Sequence, residues 1–126
     1  MILVVEDDPL VAGITCRMLQ EAGLESRHVG TAREAIVLVE TKGFLPELLL
    51  LDIRLPDMTG LRLAGRLASR LPAVPVLFMT GYPEAYAELA RDGRWGFLAK
   101  PFQYAQLTAA VRRLLPQRTS TPRTAS

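Results

Sequence analysis

The sequence predicts a doubly wound α/β fold, five parallel strands alternating with five helices in one domain. Three observations carry this prediction. Short apolar runs alternate with amphipathic stretches along the chain, the pattern of repeated βα units. The central run, Leu48–Leu51, is apolar at every position, as a strand covered on both faces must be. Finally, most of the apolar runs end abruptly in a polar group: Glu6-Asp7, Asp52, Thr80 and Lys100.

Taken in order, "ILVVE" (Ile2–Glu6) is the first strand. Asp8 and Pro9 then open a helix, as N-cap and first residue, with Val11, Ile14, Met18 and Ala22 as its apolar stripe and Gly23 closing it. "ESRHV" (Glu25–Val29) is short and polar enough for an edge strand. "TARE" (Thr31–Glu34) is a capping-box pattern for a helix running to about Lys42. "LLLLD" is the third strand. After Gly60 a helix turns Leu61, Ala64, Leu67, Ala68 and Leu71 inward and sets Arg62, Arg66 and Arg70 in solvent. "VPVLFMT" (Val74–Thr80) is the fourth strand, Pro83–Arg91 a short helix and "GFLAK" (Gly96–Lys100) the fifth strand. A last helix, about Gln103–Leu115, buries Leu107, Val111 and Leu114 before Pro116 stops it.

Composition narrows the class of protein. The 126 residues are 49% hydrophobic and 22% charged, as in a soluble globular domain long enough to bury a core. No apolar run reaches the ~18 residues of a membrane span. The start "MILVVEDD" has no basic segment, so it does not have the form of a signal peptide. The single Cys16 excludes an internal disulfide and suits a reducing, cytoplasmic location as a small core residue. Residues 1–115 are expected to form the domain and residues 116–126, "PQRTSTPRTAS", a disordered Ser/Thr/Pro/Arg tail. All 13 acidic residues lie at or before Asp92 and six of the 15 basic ones after it. The net charge of +2 is therefore no argument for nucleic-acid binding, and the arginine line of the third helix adds little.

Ligands of an open parallel sheet bind beyond the carboxyl ends of its strands. Asp52 alone reads equally well as a turn residue or as a working carboxylate. Beside Glu6, Asp7, Thr80 and Lys100 on one rim, it belongs to a convergent set. Three carboxylates at close range repel unless a cation joins them, and oxygen-only ligands suit a hard ion such as Mg²⁺. A metal ion, an ammonium and a hydroxyl together can hold the three oxygens of a phosphoryl group, with one carboxylate as nucleophile.

The elements "ILVVEDDP", "LLLLDIRLPDMTG", "VPVLFMTG" and "FLAKPF" occur in the order and spacing of a known family. Over about residues 1–115 the chain resembles the receiver domain of two-component response regulators. The resemblance implies a flavodoxin-like (βα)5 fold with strand order 2-1-3-4-5. It implies that Asp52 is the phosphoacceptor, supplied by a histidine kinase or histidine phosphotransfer protein. Asp7 and Asp52 would hold Mg²⁺ directly, Glu6 through water, and the backbone carbonyl of Arg54 would complete the protein ligands. Thr80 and Lys100 would bind phosphoryl oxygens. Thr80 and Phe97 would form the switch that reshapes the face of the fourth helix, fifth strand and fifth helix toward a downstream protein. Arg54 and Tyr82 occupy the positions that tune phosphoryl lifetime, and the Lys100–Pro101 bond is cis in relatives. Such a chain is a signalling domain rather than an enzyme, with no direct contact to nucleic acid or membrane.

Three departures stand out. Phe97 lacks a tyrosine hydroxyl, "RDGRWGF" lacks the acids found in the winged-helix subfamily, and Gln103 replaces a frequent acid. The "TGYP" run and the tail-like ending resemble receivers at the ends of hybrid histidine kinases. Two rival readings are a degenerate receiver serving only as a docking module and a Mg²⁺-dependent phosphatase with an Asp nucleophile. The first should have lost an acid, the Thr or the Lys. The second would place an acid where Arg54 stands. A cofactor-binding flavodoxin relative would need a Gly/Ser/Thr-rich loop where "EDDP" stands.

Overall fold

The computed structural model describes residues 1–91 and 93–115, and the expected tail from Pro116 onward lies outside them. Five strands, β1 (Ile2–Val5), β2 (Ser26–Val29), β3 (Leu48–Asp52), β4 (Val76–Thr80) and β5 (Trp95–Ala99), form one sheet in the order β2-β1-β3-β4-β5. Every pairing is parallel, with Ile2 opposite Leu48 and Asp52 opposite Met79. Helices α1 (Pro9–Glu21), α2 (Ala32–Ile36), α3 (Gly60–Leu67) and α4 (Tyr104–Leu114) cover the two faces.

The alternation of side chains along each strand splits the core in two. Leu3, Val5, Leu49, Leu51 and Phe78 pack with the buried residues of α2 and α3. Ile2, Val4, Leu48, Leu50, Leu77, Met79 and Leu98 pack with Leu19 of α1 and with Leu107, Ala110 and Val111 of α4. The four leucines before Asp52 thus serve both cores alternately, and Leu48, Leu50 and Leu51 are fully buried.

The helix signals are realised in detail. The Asp8 carboxylate accepts from the N–H groups of Leu10 and Val11. Thr31 accepts from Glu34 N–H, and Glu34 accepts from Gly30 and Thr31, closing the capping box. Beyond Ile36 the helix widens into a π turn, Val37–Thr41, with Lys42 N–H reaching the Val37 carbonyl. Gly23 follows α1 at φ 80°, a conformation that glycine adopts without strain.

Three expectations need correction. The buried stripe of α1 is Ala12, Thr15 and Leu19, one position beyond Val11, Ile14 and Met18, and Ile14 is 49% exposed. Both stripes have helical spacing. The buried one contains Thr15, whose polarity disappears because its hydroxyl donates to the Val11 carbonyl at 2.8 Å. In α3, Leu63 is buried together with Gly60, Ala64 and Leu67, while Ala68, still helical at the C-cap, lies off that stripe and is exposed. The expected fourth helix is a 3₁₀ segment, Pro83–Ala90, kinked at Tyr86 (φ −119°, ψ 16°), with none of its residues buried. Its alanine-rich sequence offers too little apolar surface to fix a regular helix against the sheet.

The shifted stripe is testable by urea denaturation. Leu50→Ala, which empties a fully buried site, should lose about 2–5 kcal/mol. Ile14→Ala should change stability by no more than about 0.5 kcal/mol. A large loss at Ile14 would restore the stripe expected from the sequence.

Candidate functional site

Strand periodicity decides which rim groups can meet. Val4, Leu50 and Leu98 belong to the core under α1 and α4. Glu6, Asp52 and Lys100, two positions further along β1, β3 and β5, therefore emerge on that same side. The Lys100 ammonium lies between the two acids, 2.8 Å from Glu6 Oε1 and 3.1 Å from Asp52 Oδ2. Thr80 follows Phe78 in parity and belongs to the opposite side. Asp7 is exposed at the mouth of the pocket.

Glu6, Asp7 and Asp52 each offer a carboxylate oxygen within 4.8 Å of the others. This is an all-oxygen donor set of the kind that suits Mg²⁺. Glu6 is only 1% exposed, and its second oxygen accepts from Asp8 N–H at 3.1 Å. Burial pushes the Glu6 carboxyl pKa up, against the downward pull of its bonds to Lys100 and Asp8, and the charge of Asp52 adds to the rise. For Lys100, burial works against the charged form, but hydrogen bonds to Glu6 and Asp52 outweigh it and raise its pKa. His28 on β2 holds the Glu6 backbone, its Nε2 lying 2.7 Å from the Glu6 carbonyl. A carbonyl only accepts, so Nε2 carries the proton.

The third strand delivers Asp52 into a tightly closed loop. Asp52 Oδ1 accepts from Arg54 N–H at 3.0 Å, and Arg54 pairs with Thr59 in an antiparallel bridge. Gly60 N–H donates to the Ile53 carbonyl at 2.7 Å, and a β-carbon at Gly60 would overlap the Asp52 carbonyl oxygen. Only glycine lets α3 start this close to the acid. Arg54 and Tyr82 both project into solvent, Tyr82 67% exposed.

Thr80 is buried, and its Oγ accepts from Tyr82 N–H at 3.1 Å. Phe97 sits between two rings, stacked on Phe78 at 5.0 Å and on Tyr86 at 5.3 Å. Phe78 lies opposite Phe97 in the β4–β5 register, two positions before Thr80. The Lys100–Pro101 bond is cis.

Sequence reasoning missed three participants. Tyr86 was hidden because a regular helix was expected there. Gly60 reads in the sequence as a helix start, although glycine directly after the loop is a usable signal of close approach. Asp57 binds residues 24 and 25 positions away, for which no local pattern exists.

With this geometry in view, comparison places the chain. Residues 2–112 match the family model of the response regulator receiver domain. The regulatory protein LuxO of Vibrio vulnificus is 38% identical over 109 residues, covering 85% of this chain and 24% of that protein. The chemotaxis response regulator CheY4 of Vibrio cholerae superposes with a TM-score of 0.78 at 28% identity, covering 90% of this chain and 97% of CheY4. The response regulator TrrA of Thermotoga maritima, solved in complex with Mg²⁺-BeF, gives 0.77 at 28% identity with the same coverages. The chain belongs to the response regulator receiver domains of two-component signalling. It spans about a quarter of the length of the LuxO proteins it matches. Among the described residues, no helix is long and apolar enough to cross a membrane.

The ammonium is the counter-charge for two largely buried acids, so its removal should be costly. Lys100→Met should lose about 3 kcal/mol at neutral pH in the absence of divalent metal. A carboxyl whose folded pKa is raised destabilises the fold as pH rises through that value, and it regains stability on protonation. Without Lys100, whose bond and charge pull it down, the Glu6 carboxyl rises further, so the deficit should shrink as pH falls through that higher value toward the wild-type one. Denaturation curves from about pH 8 to pH 5 check this, and a deficit that does not change with pH would contradict the pairing.

Proposed function

We propose that this receiver accepts a phosphoryl group on Asp52 from the phosphohistidine of a histidine kinase or histidine phosphotransfer protein. The observation that carries the reading is the single pocket joining Glu6, Asp7 and Asp52 to the ammonium of Lys100. A carboxylate oxygen of Asp52 attacks phosphorus, forming a P–O bond as the P–N bond breaks, and the imidazole leaves with the electron pair. Lys100 shifts its pairing from the Asp52 carboxylate to a phosphoryl oxygen. The Thr80 hydroxyl, whose oxygen already accepts from Tyr82, turns its own proton to another.

The residues present fit a magnesium ion, held directly by Asp7 and Asp52, through water by Glu6, and by the Arg54 carbonyl. When bound, it supplies positive charge against the oxygens of the transferring group. That TrrA was solved with Mg²⁺-BeF supports this fit. The signal then passes along one side of the sheet, from Thr80 to Phe97 and its partner ring Tyr86. This changes the surface formed by the 3₁₀ segment, β5 and α4 for a downstream protein. Phe97 has no hydroxyl, so packing alone holds either state. Arg54 and Tyr82, exposed beside the pocket, govern access of water to the phosphoryl group.

Acetyl phosphate with Mg²⁺ should add one phosphate to the wild-type chain, acid-labile and absent in Asp52→Asn, as read by intact mass. Modification that survives Asp52→Asn would overturn the assignment. Millimolar Mg²⁺ alone should raise the thermal midpoint of the wild type by stabilising the folded state, and Asp7→Asn should abolish most of that rise. An equal rise in both would place the metal elsewhere.

A further inference from the structure

The loop that follows the phosphoacceptor is tied down at its tip by an acid that the chemistry above does not use. Asp57 lies between β3 and α3, outside the cluster of Glu6, Asp7 and Asp52. Its two carboxylate oxygens accept separately from two backbone donors of α2, Ala32 N–H at 3.0 Å and Arg33 N–H at 2.8 Å. These are orphan donors at the start of that helix, with no carbonyl in their own helix to bind. The division of labour there is complete. Glu34 serves Gly30 and Thr31, Thr31 serves Glu34, and the remaining two donors go to Asp57. The desolvation of Asp57 is outweighed by these bonds and by the Arg33 charge, which hold its carboxyl below the usual 3.8 and keep it ionised near neutrality.

The bond matters because of what else the loop carries. Its base is fixed by the Arg54–Thr59 bridge and by Gly60 N–H on the Ile53 carbonyl. Leu55 and Met58 are half-buried against the core and hold its inner side down. Apolar contacts of that kind set depth but are non-directional. Among the described residues, the tip between Arg54 and Thr59 has its directional tie to the rest of the fold through Asp57. The Arg54 carbonyl assigned to the metal belongs to the peptide that enters the tip, so a rotation of the tip would turn it even with the base held by the bridge. Such a rotation would also disturb the Arg54 N–H that Asp52 Oδ1 accepts.

We propose that Asp57 is a positioning residue for the acid pocket, its carboxylate clamping the loop tip to α2 and so aiming the Arg54 carbonyl. The proposal rests on the reading of that pocket as a Mg²⁺ site. It makes α2, which contributes no group to the pocket, a mechanical support of it. Removing such outer partners of metal sites elsewhere costs about 10–100-fold in affinity.

Mg²⁺ titration calorimetry on the wild type, Asp57→Ala, Asp57→Asn and Thr31→Ala decides the matter. Asp57→Ala should bind Mg²⁺ about tenfold more weakly. Its phosphorylation by acetyl phosphate should be slow at low Mg²⁺ and recover at saturating Mg²⁺. Asp57→Asn keeps one acceptor oxygen and should fall between the two; it carries the test if the alanine variant does not fold. Thr31→Ala strips a cap from the same helical turn without touching the loop. It should lower the thermal midpoint and leave the Mg²⁺ affinity within about twofold of wild type. Wild-type affinity in Asp57→Ala (or in Asp57→Asn, where that variant carries the test) would overturn the clamp alone, as would an equal weakening by Thr31→Ala. Failure of the wild type to bind Mg²⁺ would overturn the pocket reading and the clamp together.

Discussion

One ammonium shared by two shielded carboxylates is the constraint around which this fold is organised. Glu6 is almost wholly removed from water and Asp52 nearly so. Neither charge could be held there without a compensating cation, because desolvating an isolated carboxylate costs several kcal/mol. Lys100 supplies that cation from beyond the edge strand β5, reaching past β4 to the acids that follow the interior strands β3 and β1. The three groups meet only if the strands keep their register and parity, so a slip of one residue in β5 would turn the lysine to the other face. The long apolar strands are thus also the ruler that brings charge to charge.

The same arithmetic separates the pocket into two chemical neighbourhoods. Glu6, Asp52 and Lys100 lie on the α1 and α4 side, where the charges pair. Thr80 and Phe97 lie on the α2 and α3 side, where a hydroxyl leads into three stacked rings. The pairing of charges is therefore handled on one face and shape on the other, with the strand ends, where Asp7 stands exposed, as the junction. Asp57 binds the second layer of helices into this scheme, since its two bonds tie the start of α2 to the loop beside the pocket.

What was legible in the sequence was whatever is encoded locally or by period. The strands followed from apolar runs, the caps Asp8 and Thr31 from adjacent residues, and the rim from polar groups ending strands. The α1 stripe was misread because Thr15 looks polar in sequence and loses that polarity through a bond to its own helix. The 3₁₀ segment was misread because propensity favours a helix there, whereas the segment brings little apolar surface of its own to order one and none of its residues is buried. Asp57 was illegible for a different reason, since its donors are backbone groups distant in the chain and backbone carries no residue code. The ion triad lay between these cases. Its members were visible one by one, and the face they share emerged only once register was fixed.

The 3₁₀ segment Pro83–Ala90 has one more consequence. Tyr86 is the ring in it that packs against the core, and no residue of the segment is fully shielded. Local opening of such a stretch exposes little apolar surface, so it lies at the low end of the free-energy ladder that runs up to global unfolding. Its amides should exchange with solvent without the sheet having to come apart. A crossover of this kind can be rearranged by a small bias at one aromatic contact, while the cores on either side of the sheet retain their full cooperativity.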